Sequence, residues 1–179
     1  MPYGAAAMNA VTPTLSLTIA PERADQARAV DALINRAFGP GRYAKVSERL
    51  REGNRQRMDL SFVAAAGEEV IGAVRLWPVM VGETRGLYLG PIAVDPAWRK
   101  HGVAAGLVGH AVQAGAEAGE RFVLLVGDLF LFGPQGFEAV PRGTVTLPGS
   151  ADPGRILWRA LGPQGLDGVC GRAHVPLDD

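Results

Sequence analysis

Residues Leu89–Ala105 read LGPIAVDPAWRKHGVAA, and the fold turns on this stretch. Ile92, Ala93 and Val94 close an apolar strand that begins near Gly86. Pro91 has no N–H to give a sheet ladder, and Gly90 before it is a natural bulge site. The strand should therefore part from its parallel neighbour just beyond Gly90-Pro91. Asp95-Pro96 then turns the chain, and Gly102 opens a small-residue helix running to about Gly119. Arg99, Lys100 and His101 gather at its start, where the helix dipole is already positive and about four backbone N–H groups lack partners. Such a concentration of positive charge is unfavourable unless an anion joins it. The amides of Gly102, Val103, Ala104 and Ala105, open to close approach, form a surface for phosphate, and Arg99 and Lys100 can add charge-assisted contacts.

Working outward, Leu15–Ile19 alternates with the period of a half-buried strand. Pro21-Glu22 opens a helix in which Ala27, Val30, Leu33, Ile34, Ala37 and Phe38 recur at three- and four-residue spacing, and Gly39-Pro40-Gly41 stops it. A second, polar helix is predicted near Tyr43–Glu52, with Val46 and Leu50 on one face. The cations around it, Arg42, Lys45, Arg49, Arg51, Arg55 and Arg57, read as a solvated face. Strands follow at Leu60–Ala66, from Val70 to about Met80, and at Gly86–Val94; the first two form an antiparallel hairpin across a glycine turn. Another strand, Phe122–Val126, follows the helix. Glu138–Leu147 and Arg155–Leu161 look strand-like, with Ile156-Leu157-Trp158 closing a sheet edge. One crossover helix between two parallel strands, among antiparallel neighbours, gives an α/β (α+β) protein with a mixed, centrally splayed β-sheet flanked by helices. A flexible tail is expected at 1–13 and one domain over 14–179, in which 150–179 forms a sheet-edge extension.

Eighteen Lys and Arg balance eighteen Asp and Glu. Nothing at whole-chain level therefore calls for nucleic acid or an anionic membrane, and any anion site must be local. Cys170 is the only cysteine, so no intramolecular disulfide forms, and His101, His110 and His174 are too scattered for a metal site. The start lacks a signal-peptide pattern, and no apolar run reaches the roughly 18 residues of a membrane span. A cytoplasmic protein is expected.

Two common phosphate motifs fit poorly: no Lys-Ser or Lys-Thr follows a glycine pair, and Gly102, Gly106 and Gly109 are wrongly spaced for GxGxxG. What remains is Arg99-x-x-Gly102-x-Ala104 after a strand end, with Gly136-Phe137 beyond the next strand. In these features the sequence resembles the GCN5-related N-acetyltransferase (GNAT) family, whose coenzyme A motif is a strand followed by [RQ]-x-x-G-x-[GA] at a helix start. LGPIAVDPAWRKHGVA with VGDLFLFGPQGF looks like its small bacterial YhbS-like subgroup. The resemblance spans about residues 15–140 in element order. It implies a GNAT-like acyl-CoA N-acyltransferase fold, acetyl-CoA as co-substrate and no metal. It also implies acetyl transfer to a primary amine, on a small molecule or a protein, by direct attack in a ternary complex. Amides from His101 to Ala105 would meet the pyrophosphate, and Ile92, Ala93 and Val94 would line the pantetheine arm.

Such a transfer needs a base, an oxyanion site and a proton for the thiolate. The family often draws that proton from a tyrosine five residues before the Gly-Phe phenylalanine. Here the position is Phe132, which has no hydroxyl and serves only as an apolar wall of the coenzyme site. Asp128 is the nearest carboxylate for a base, and equally a cap for the short helix after it. Tyr88, two residues before Gly90, can point into the cleft or sit in the core. An N–H near Ala93 or Val94 can hold the oxyanion. Phe132 keeps open a non-catalytic coenzyme A or acyl-CoA binding module. Phe130, Leu131 and Phe132 together would suit a longer acyl group. The basic Arg42–Arg57 region would suit an acidic acceptor as well as solvent, and the C-terminal strands could pair in a homodimer.

Overall fold

The computed structural model describes residues 16–177; the expected tail at 1–13 and Leu15 lie outside them. In chain order the strands are β1 (Leu17–Pro21), β2 (Phe62–Ala66), β3 (Glu69–Val81), β4 (Thr84–Val94), β5 (Phe122–Val126), β6 (Glu138–Ala139), β7 (Val145–Thr146), β8 (Ile156–Ala160) and β9 (Gly171–His174). The α-helices are α1 (Ala27–Phe38), α2 (Val46–Arg49), α3 (Val103–Glu117) and α4 (Leu129–Phe132). The main sheet runs β1-β2-β3-β4-β5-β8-β6, and β9 joins it at the far end of β3 and carries β7. Pairing is antiparallel except between β4 and β5 and between β7 and β9. The mixed, splayed sheet read from the sequence is the one observed.

The period-2 alternation of the strands sorts their side chains onto two faces. On one face Leu107, Val108 and Ala111 of α3 pack against Phe62, Val74, Leu76, Leu87, Leu89, Val123 and Leu125. On the other, Val30, Leu33 and Ile34 of α1 cover Val63, Ala73 and Ala93. Tyr88, Phe122, Leu124 and Trp158 continue that second face under Leu50, Val140 and Leu147. Burying each large aliphatic side chain contributes about 2 kcal/mol, so these layers hold the sheet rigid on either side of its split. Glu22, whose side chain is fully buried, accepts from Arg75 Nη2 at 2.6 Å and Nε at 3.0 Å, while Arg75 Nη1 reaches Asp31 at 2.7 Å. This network fastens α1 to β3. Burial works against the Arg75 charge, but Glu22 and then Asp31 outweigh it and hold its pKa above the usual value.

Three expectations need correcting. The polar helix over Tyr43–Glu52 is a 3-10 turn at Pro40–Ala44 followed by the single turn of α2. Val46 and Leu50 do share the buried side, but their spacing offers an apolar face only one turn long, too little to sustain a helix. Glu138–Leu147 is divided between β6 and β7 by a turn in which Thr144 N donates to Pro141 O at 3.1 Å. Ile156–Trp158 does not close an edge: β8 lies between β5 and β6, buried on both faces.

Candidate active site

The split expected at Gly90-Pro91 is present. Leu76 faces Leu89 and Val74 faces Ile92, so two residues of β4, Gly90 and Pro91, are bulged out against one of β3. Gly90 has φ +144°, a conformation open to glycine alone, and its carbonyl accepts from Trp77 Nε1 at 2.6 Å. Pairing between β4 and β5 is confined to Leu87 with Val123 and Tyr88 with Leu124. Beyond the bulge Asp95 N donates to Ile71 O at 2.8 Å, in the same register that pairs Ala93 with Ala73. Strand amides alternate in direction, so the N–H groups of Ile92 and Val94 turn toward the gap. The amide of Ala93, also considered for the oxyanion, turns to β3, and its side chain packs beneath α1.

The gap leads to the start of α3. Asp95 caps a 3-10 turn at Pro96–Trp98 by accepting from Ala97 N, and the loop then passes through two left-handed residues, Lys100 at φ +65° and Gly102 at φ +75°. A left-handed lysine costs about 1 kcal/mol, strain of a kind that collects at functional loops. The first helical bond is Gly106 N to Gly102 O at 2.9 Å, so the amides of Val103, Ala104 and Ala105 precede the ladder. Together with Arg99, Lys100 and Gly102 these residues line a cavity of about 480 Å³ that extends along Ile92, Ala93 and Val94 to Leu131 and Phe132. The His101 side chain does not line it: its Nδ1 lies 2.8 Å from Arg99 O, and its ring meets Trp98 edge-on.

A second cavity, of about 590 Å³, opens on the α1 side and shares Phe38, Ile92, Leu131 and Phe132 with the first. Tyr88 lines it from β4 and is 2% exposed. Burial pushes its phenol up to about 12, against the opposing pull of the Arg51 charge and a hydrogen bond with Ser47. Burial thus favours the neutral phenol of Tyr88. Asp128 caps α4 by accepting from Phe130 N at 2.9 Å, and also lines this cavity. Phe132 packs edge-on against Phe137 at 5.8 Å between ring centroids, an apolar wall common to both cavities.

The basic cluster is not simply a solvated face. Arg49 and Arg55 are exposed, but Arg57 bridges Asp59 and Glu120, and Arg42, Lys45 and Arg51 line the second cavity. The Arg51 side chain is only 9% exposed and pairs with Glu48 at 2.5 Å. Ser47, Asp152 and Arg155 also line this cavity without having been singled out in the sequence. The cationic run was the one signal, and a local pattern could not tell its inward members from its outward ones. His110 and His174 stand apart on α3 and β9, and no cluster of potential metal ligands occurs among the described residues. No helix there is long and apolar enough to cross a membrane.

The Acetyltransferase (GNAT) family model matches residues 27–129. The Escherichia coli N-acetyltransferase YhbS is 33% identical over 145 residues, covering 79% of this chain and 86% of its own. The chain belongs to the GNAT family of acetyltransferases. Among GNAT structures, that of E. coli YhbS in complex with CoA has a TM-score of 0.77 at 31% identity over 92% of both chains. A Brucella melitensis GNAT acetyltransferase in complex with acetyl-CoA has a TM-score of 0.67 at 23% identity, covering 90% of this chain and 97% of its own, a likeness of fold. The GNAT membership read from Arg99–Ala104 and Gly136-Phe137 is therefore correct, and with it the acyltransferase class.

Proposed function

We propose that this GNAT enzyme transfers an acetyl group from acetyl-CoA to the primary amine of an acceptor while both are bound. One observation carries the reading: the β4 edge at Ile92, just past the short β4–β5 pairing, lines both cavities. Amides of Val103, Ala104 and Ala105, with Arg99 and Lys100 beside them, receive the pyrophosphate. The outward amides of Ile92 and Val94 pair with the pantetheine arm as though with an added strand. That the YhbS structure was solved in complex with CoA supports coenzyme A as the ligand.

The acceptor then occupies the larger cavity, with its nitrogen facing the thioester across the gap. As the nitrogen bonds to the carbonyl carbon, the C–S bond breaks and the sulfur leaves as thiolate. An N–H on the open edge of β4 meets the negative charge developing on the carbonyl oxygen. Asp128 keeps its cap through Oδ1, and its other oxygen accepts the amine proton. Phe132 cannot protonate the thiolate, so solvent does. The shared walls hold the reactants in line, and this proximity can supply much of the rate without a tyrosine.

The test is release of coenzyme A from acetyl-CoA, followed by thiol detection across a panel of amines. Amine-dependent release is expected. Coenzyme A binding with no amine-stimulated release would leave a binding module instead.

A further inference from the structure

We infer that the acceptor carries an anionic group, carboxylate or phosphate, in addition to its amine, and that Arg51, Lys45 and Arg155 bind it in the larger cavity. The inference rests on the acetyl-transfer reading and names its substrate class. Four cations line this cavity, Arg42, Lys45, Arg51 and Arg155, against two carboxylates, Asp128 and Asp152. Each carboxylate already has one oxygen on a backbone N–H, from Phe130 and Gly154, both at 2.9 Å. Glu48 answers Arg51, but neither Lys45 nor Arg155 has a carboxylate partner among the described residues. The whole chain is formally neutral, so the excess is local rather than compositional.

These cations come from two distant segments and converge only in the folded chain. Apolar residues, including Val46, Leu125 and Phe132, line the same space, and like charges gathered around it repel one another. A bound anion would relieve that repulsion. Arg51 lies at the split itself: a Cβ added to Gly90 would stand 3.8 Å from Arg51 Nη1. The volume suits a small molecule that presents its amine at the gap and its anion to this cluster. Amino carboxylates and aminoalkyl phosphates both have that form.

The experiment titrates the protein, free and loaded with coenzyme A, with matched pairs by calorimetry. β-Alanine against β-alaninamide tests a carboxylate, and O-phosphoethanolamine against ethanolamine tests a phosphate. At least one anionic member should bind about tenfold or more tightly than its partner, a modest value for a charge pair at a partly open site. Lys45→Gln and Arg155→Gln, at exposed positions outside the smaller cavity, should shrink that preference while coenzyme A affinity holds. Equal binding within both pairs would overturn the inference. Amine-dependent coenzyme A release without anionic preference would reject the anion site and leave acetyl transfer standing. Anionic preference without release for any amine would do the reverse.

Discussion

The two cavities are built in different ways. The smaller one is made largely from a single stretch, Ile92–Ala105, and offers backbone groups: a strand edge freed by a bulge and amides at a helix start. The larger one is gathered from the end of α1, the α2 region, the bulge, the end of β5 and Ser150–Arg155, and it offers side chains. The difference sets what each can recognise. Backbone amides are supplied by geometry alone and suit a ligand part that does not vary, whereas an assembled set of side chains can be exchanged residue by residue. A shared coenzyme and a particular acceptor need those two kinds of surface.

The sharpest attempt to break this contrast is Asp128→Asn. Asparagine keeps the helix cap, so stability should hold. Turnover should fall about a hundredfold and the acidic limb of the pH–rate profile should flatten, as loss of a general base requires. An unchanged rate and profile would return Asp128 to a purely structural cap.

On the donor side, Ala104→Glu places a carboxylate in the first turn of α3, where the dipole favours it. The melting temperature should hold or rise slightly while coenzyme A affinity drops tenfold or more, read by calorimetry. Unchanged affinity would remove the pyrophosphate from this helix end.

The smallest effect at neutral pH is expected from Tyr88→Phe, about 1 kcal/mol for a lost hydrogen bond. The folded phenol has its pKa raised to about 12 from 10.0. Its contribution to stability is therefore complete below pH 10 and is lost as the pH climbs through 12. Urea unfolding at pH 8 and near pH 11 should show the wild-type advantage shrinking by roughly 1–2 kcal/mol at the higher pH. A constant difference would mean that burial does not hold the phenol protonated.

The sequence was legible where a physical cause is local. Gly90-Pro91 announced the bulge and split because a missing donor and a glycine act on their own ladder. β5 was read to the residue, since Arg121 and Gly127 bound an unbroken apolar run. The Arg42–Arg57 cluster was legible as charge but not as direction. Whether Arg51 faces solvent or the gap depends on Leu50 and Val46 packing under a loop that returns from residues 145–151. The last strand gave no local signal, because β9 exists through its pairing with Met80 and Val81 some ninety residues earlier.

By itself, then, the chain determined its family, the site of the split and the helix start with its free amides, all consequences of backbone conformation within one short stretch. Only the tertiary structure decided the larger cavity. Its cations come from segments a hundred residues apart, and their electrostatic effect exists only once packing has brought them around one space.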